Sequence, residues 1–155
     1  MYSPLKGESI FNQYLERGFK KSKHEDKKQN FNIVASVFAK ICEEDEKEEY
    51  LATARNIYTL YVGGMGAKNK NFYYNLVCDY GYADIAVEIQ NLYLAGKKDD
   101  ASKLFPDELI DDLTLVGTKH EIEKKYESWK TSNVTELSLS YPIDIKTIQF
   151  IKSLN

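Results

Sequence analysis

Two cysteines, two histidines and two arginines in 155 residues leave little material for several kinds of chemistry. Cys42 and Cys78 form no CxxC pair and have no histidine at ligand spacing, so a disulfide framework or a zinc site is unsupported. They read as two small buried thiols in a reducing compartment. Of the 21 basic residues only Arg17 and Arg55 are arginine, and the formal net charge is −3. Nucleic-acid binders carry a basic footprint and use guanidinium forks to read bases and clamp phosphates, so that class is set aside. No window approaches 18 consecutive apolar residues, so no membrane-spanning helix is expected. The opening Met1-Tyr2-Ser3-Pro4 leads into an amphipathic pattern without the apolar core of a signal peptide, and a cytoplasmic protein is expected. No GxSxG, HExxH or GxxxxGK[ST] motif occurs. The motifs therefore name no catalytic residue and no metal ligand.

What is present is ordinary globular material, 43% hydrophobic and 29% charged. A chain of this length can bury roughly two thirds of its unfolded surface, but a complete eight-stranded α/β barrel takes about 250 residues. Ser3-Pro4 predicts a helix start, with Leu5, Ile10, Phe11, Tyr14, Leu15 and Phe19 on one face. The charged run 20–30, with His24, predicts a solvated loop. Phe31 to Ile41 alternates apolar residues, and Val34 and Phe38 add a second apolar face, which predicts a strand buried on both sides. Six acids between Glu43 and Glu49 predict a helix start complementing the helix dipole rather than a metal site. That helix carries Tyr50, Leu51, Ala54, Ile57, Tyr58, Tyr61 and Val62 and stops at Gly63-Gly64.

Two further helical patterns follow, Phe72 to Tyr80 and Ile85 to Tyr93, each closed by a glycine, with single turns on either side of Pro106. Leu113 to Val116 is a short extended run. Thr118 and Glu121 form a capping box for a helix that buries Ile122, Tyr126 and Trp129, and His120 in its first turn reads as solvated. Val134 to Tyr141 is a second clear strand, with Leu137 and Leu139 on one face. Pro142 ends it, and Asp144 caps a final helix of Ile145, Ile148, Ile151 and Leu154. Strands alternating with helices predict a helix-rich α/β fold with a parallel sheet. Two clear strands are too few to close a barrel or a doubly wound core, so the missing neighbours come from another chain or a larger fold.

The most unusual stretch is Gly63-Gly64-Met65-Gly66-Ala67-Lys68. Glycines let a backbone approach a ligand closely, and Lys68 or Lys70 could meet an anion. The stretch follows a helix rather than a strand and matches no phosphate-binding fingerprint, and a helix stop is the plainer reading.

Together with Tyr61-Val62 before it and Lys70-Asn71-Phe72-Tyr73 after it, this stretch resembles the luciferase-like flavin- and deazaflavin-dependent oxidoreductases. The resemblance extends to Tyr2-Ser3-Pro4, Glu16-Arg17-Gly18-Phe19, the strand Phe31 to Ile41 and Asn91-Leu92-Tyr93-Leu94-Ala95-Gly96. Pro106-Asp107-Glu108-Leu109 and Leu115-Val116-Gly117-Thr118 carry it further. It implies the carboxyl-terminal part of a (β/α)8 TIM barrel, with Phe31 to Ile41 as the seventh strand and Val134 to Tyr141 as the eighth. It divides the single partial domain 1–155 into a helix and barrel strand (1–42), a helical insertion over the carboxyl-terminal mouth (43–112) and a last helix-strand-helix unit (113–155).

The resemblance also marks Gly63, Gly64, Lys68, Asn71 and Phe72 as candidates to face a substrate or cofactor pocket. The parent cofactor it implies is FMN or a deazaflavin, held mainly by strands one to six, which have no counterpart here. The expectation is a truncated oxidoreductase, inactive alone and without a cofactor site of its own. Its partners would be the missing amino-terminal half or further copies of the chain, with no nucleic acid, membrane or metal. The alternative is a non-catalytic interaction or assembly module derived from the same family.

Overall fold

A three-stranded parallel sheet stands between two unequal groups of helices. The computed structural model describes residues 1–22, 25–67, 70–140, 142 and 144–155, so His24, Lys68 and the strand end at Tyr141 lie outside the described residues. The elements in chain order are α1 (Gly7–Lys21), β1 (Val34–Ile41), α2 (Lys47–Gly64), α3 (Phe72–Asp79), α4 (Ala83–Leu94), α5 (Lys98–Lys103) and α6 (Asp107–Leu113). They are followed by β2 (Thr114–Gly117), α7 (Lys119–Thr131), β3 (Glu136–Ser140) and α8 (Ile145–Ser153). The strand order is β2-β1-β3, with Phe38 opposite Thr114 on one side of β1 and Val34 opposite Glu136 on the other. The short run after Leu113 thus becomes a true strand, because β1 offers it a partner that no local signal announces.

Alternation along β1 sends its residues to different cores. Ala35, Val37 and Ala39 join Leu115, Ile122, Tyr126, Trp129 and Ile151 beneath α7 and α8. Phe38 and Val116 face the other way, into a larger cluster built on α2 to α6 with Tyr58, Val62, Leu76, Ile89, Phe105 and Leu109. The prediction of a strand buried on both faces holds for its carboxyl half only. Val34 is 57% exposed, and Ser36 is also on the surface. Phe31 precedes the strand and is partly exposed, because the helices reach only as far as Phe38 on that face.

The helix ends follow sequence rules closely. Asn71, Thr118 and Asp144 cap α3, α7 and α8 through side-chain oxygens, and the Thr118–Glu121 capping box is complete. Ser3 is buried; its hydroxyl accepts from the Lys6 N–H at 2.9 Å and donates to Asp112. α1 begins only at Gly7, after one turn, and Leu5 and Tyr14 of its apolar stripe face solvent. Ile145 of α8 does the same.

Two depressed carboxylates lie near the carboxyl ends of the strands. Lys47, the Thr118 N–H and the Thr118 hydroxyl hold Glu121 down to about 2, with the Lys47 ammonium 2.5 Å away. Burial alone would raise Asp144, but the Thr147 N–H and hydroxyl and the Lys40 ammonium at 3.0 Å bring it to about 2. A carboxylate lowered on folding stabilises the native state above its unfolded value of roughly 4 and loses that contribution as pH falls toward the folded value. Stability is therefore expected to hold above about pH 5 and to fall steeply between about 4 and 2. Asp112, pushed up chiefly by burial, acts with the opposite sign. Urea midpoints measured against pH check this: Glu121→Gln should remove about one proton from the acid-side uptake, and an unchanged slope would refute the assignment.

Candidate functional site

The stretch singled out in the sequence folds into an elbow between α2 and α3. Four of its five candidate residues come together there: Gly63, Gly64, Asn71 and Phe72; Lys68 lies outside the described residues. Gly63 is buried at the end of α2, where a Cβ would come within 2.4 Å of Tyr93 Cβ and 2.5 Å of Tyr93 Cγ. At Gly64 the same ring presents its Cε1 at 2.6 Å. The close approach these glycines allow is thus taken up by the tyrosine of α4. Gly66 sits at φ +146°, with Asn71 Cα only 2.9 Å from where a Cβ would stand, so the loop doubles back on the start of α3.

Asn71 holds the elbow. Its Nδ2 donates to the Tyr61 and Val62 carbonyls at 2.8 and 2.9 Å, and its Oδ1 accepts from the Tyr73 and Tyr74 N–H groups at 2.9 and 3.1 Å. The end of one helix and the start of the next are satisfied by one fully buried amide, whose two donors and one oxygen are all engaged. A polar residue of the Asx type before an apolar helical pattern is a recognisable N-cap signal, and Asn71-Phe72-Tyr73 carries it. What no local signal reveals is the reach of the amide back to α2.

Phe72, 58% exposed, lies past the cap with Tyr73, whose ring stacks on Tyr61 at 4.8 Å. Phe72 and Tyr73 form one wall of a groove of about 550 Å³. Phe11, Tyr14 and Leu15 of α1 line it too, with residues 31–33, the first three residues of β1, Met1, Tyr2 and Asn133. Tyr2 donates to Asn133 Oδ1 at 2.7 Å, and Asn133 donates to Asn12 at 2.6 Å, which ties α1 to the loop before β3. Phe11, Tyr14, Phe31 and Tyr2 as groove residues escape sequence reasoning, because they converge from separate elements. Apart from the amino terminus at Met1, whose ammonium is disfavoured by burial, no described group in the lining is charged, so the groove suits apolar and aromatic groups better than a phosphate. Among the described residues no group of three metal-ligating side chains gathers, and no helix is long and apolar enough to cross a membrane.

The comparisons with known proteins agree with the resemblance seen in the sequence. The profile of the luciferase-like monooxygenases matches residues 1–136. A Mycobacterium tuberculosis protein named "putative coenzyme F420-dependent oxidoreductase" is 31% identical over 134 residues, which are 86% of this chain and 38% of that protein. The chain therefore spans well under half the length of this curated relative. With the match running through β1, the elbow, β2 and the capping box and ending where β3 begins, the chain belongs to the luciferase-like monooxygenase family.

Proposed function

We propose that this chain is the carboxyl-terminal part of a luciferase-like oxidoreductase that uses a flavin or deazaflavin for hydride or oxygen transfer, and that it is inactive without the rest of the barrel. The observation that carries this reading is the uncovered half of the sheet. In a (β/α)8 barrel each strand shows one face to helices and the other to the side chains of neighbouring strands. Ala35, Val37, Leu137 and Leu139 lie on the α7–α8 face. On the opposite face, Val34, Ser36, Glu136 and Ser138 are exposed. Further strands would cover that surface in a complete barrel. On this reading residues 1–42, 43–112 and 113–155 are the seventh-strand unit, the helical insertion and the eighth-strand unit.

The groove beside Phe72 has the volume and aromatic lining for a planar ring, but among the described groups only the amino terminus at Met1, disfavoured as a cation by burial, could meet the phosphate of FMN. The residues present do not fit the whole cofactor, which supports a binding site shared with, or held by, the remainder of the barrel. The chemistry of transfer belongs to the cofactor, and the protein's part is to orient it and exclude water. The test is a fluorescence titration of the purified chain with FMN and with a deazaflavin. No saturable binding in the micromolar range is expected, and tight binding of either would overturn the claim that the cofactor site lies largely outside these residues.

A second reading, a non-catalytic interaction module derived from the family, draws on the core of the chain. Among the described residues, seventeen buried residues in one cluster and eight in the other pack on the two faces of the carboxyl half of β1. That is material for independent folding. A monomer with one cooperative melt and no activity on addition of the missing strands would favour it.

A further inference from the structure

A helix that joins two parallel strands starts near the carboxyl end of the first and returns the chain to the amino end of the second. α7 and α8 obey this direction where they begin. α7 starts two residues after Gly117, the last residue of β2, and α8 five residues after Ser140, the last of β3. α1 obeys it only at its far end, where the Phe19 ring meets Phe31, three residues before β1, edge-on at 5.3 Å.

The start of α1 lies at the opposite end of the sheet from the one the rule requires. The Ser3 hydroxyl donates to Asp112, two residues before β2, and the Tyr2 hydroxyl donates to Asn133, three residues before β3. Both ends of α1 thus stand beside the amino ends of the strands.

The start is held by its leading segment more than by the helix. Ser3 and Pro4 are buried, whereas Gly7 is the one buried residue of the fifteen in α1. The Ser3 N–H donates to the Tyr80 hydroxyl at 3.2 Å, and that hydroxyl donates to the Met1 carbonyl at 3.3 Å. The Lys6 ammonium donates to the Tyr80 carbonyl at 2.9 Å. The Tyr2 ring packs with Phe11 and Trp129, at centroid distances of 5.8 and 6.0 Å. Ile10 and Phe11 rest half-buried on the larger cluster, and Asn12 accepts from Asn133 at 2.6 Å. Beyond Asn12, Glu16 pairs with Lys28 at 2.6 Å on the surface, a kind of pair that adds little stability.

We propose that residues 1–21 are a releasable strap, docked across the amino ends of the strands in this chain and freed to reverse course when a preceding parallel strand is joined to them. The inference rests on the barrel reading above, which sets such a strand ahead of α1 with its carboxyl end at the other side of the sheet. Reaching that side carries the start of α1 along the length of β1, about 26 Å for its eight residues. The contacts of Tyr2, Ser3 and Lys6 do not survive such a shift. The Phe19–Phe31 contact lies at the end that stays and serves as the pivot. The docked strap is a resting state that completion of the barrel must undo.

The chain carries its own reporter. Trp129 is the one tryptophan in the sequence, 3% exposed and packed with Tyr2 of the strap. Urea titration of the whole chain, followed by Trp129 emission and by far-UV ellipticity, tests the proposal, with hydrogen exchange read by mass spectrometry to locate the opening. The emission should shift to the red at a midpoint at least about 0.5 M urea below the loss of ellipticity. Without urea, the amides of α1 should exchange at least about 100-fold faster than those of α2 and β1, each relative to an unstructured peptide. Ser3→Ala, which removes the bond to Asp112, should lower the first midpoint and leave the second in place. Asn12→Ala, which removes the half-buried tie to Asn133, should act in the same direction to a smaller extent.

Coincident midpoints in the unmodified chain overturn the proposal. So does protection of α1 equal to that of α2, or a Ser3→Ala change that moves both midpoints together. No flavin enters these measurements, so the two readings fail separately. Failure here leaves the barrel reading to the cofactor titration, and tight flavin binding there leaves an early release of the strap standing as a local opening.

Discussion

Replacing Asn71 by alanine is expected to lower the unfolding free energy by about 3 kcal/mol, a large share of the stability of a domain this size. The side chain is fully buried and makes four hydrogen bonds, two to carbonyls at the end of α2 and two from N–H groups at the start of α3. Losing an N-cap costs about 1 kcal/mol, and leaving buried carbonyls without donors adds about 1–3 kcal/mol. Asn71→Asp separates the two halves of the argument. It keeps the acceptor for Tyr73 and Tyr74 but sets a carboxylate against the Tyr61 and Val62 carbonyls, so it should be no less damaging than alanine. Asn75→Ala, one turn on and exposed, should stay within about 0.5 kcal/mol of the parent chain. Urea denaturation of the three variants checks this, and a cost below about 1 kcal/mol for Asn71→Ala would remove Asn71 as the keystone of the elbow.

Gly63→Ala should cost about 2–3 kcal/mol, although alanine is favoured over glycine in a helix by about 1 kcal/mol. The new methyl would stand 2.4 Å from Tyr93 Cβ, an atom attached directly to the backbone of α4, so α2 and α4 must move apart. Gly64→Ala meets the far edge of the same ring, Cε1 at 2.6 Å, and the ring can turn aside. Its net effect should lie within about 1 kcal/mol of zero, the propensity gain offsetting the displaced ring. Tyr93→Ala sharpens the contrast. It should relieve Gly64→Ala, whose clash is with the ring, and relieve Gly63→Ala only in part, because the Cγ at 2.5 Å goes while the Cβ at 2.4 Å stays. Thermal melts of the two double-mutant cycles measure the difference, and equal rescue in both would refute the packing assigned to the elbow.

These two residues show how far sequence reasoning reached into the site. That Gly63, Gly64, Asn71 and Phe72 belong together was legible as a motif, since all lie within ten residues. Their physical work was not. Tyr93 is 30 residues downstream of Gly63, and the carbonyls of Tyr61 and Val62 become partners of Asn71 only once the loop has folded back. The groove beside Phe72 is further from view, because its other lining residues come from α1, from the chain before β1 and from the first residues of that strand.

The elements themselves were largely written in local chemistry. Periodicity marks the long helices, Thr118 and Glu121 mark the start of α7, and Asp144 marks α8, because caps and apolar stripes act over three or four residues. Membership of the family is likewise a property of the chain read in order. What required the folded molecule is everything that depends on the sheet. Pairing with β1 turns Thr114–Gly117 into a strand. The reach of α2 to α6 buries Phe38 but not Val34, so β1 is two-sided over half its length. Strand pairing joins residues tens of positions apart, and no window of sequence holds both partners. The length of 155 residues suggested too few strands for a barrel; the folded chain pairs three among the described residues and leaves Val34, Ser36 and Ser138 exposed on one face.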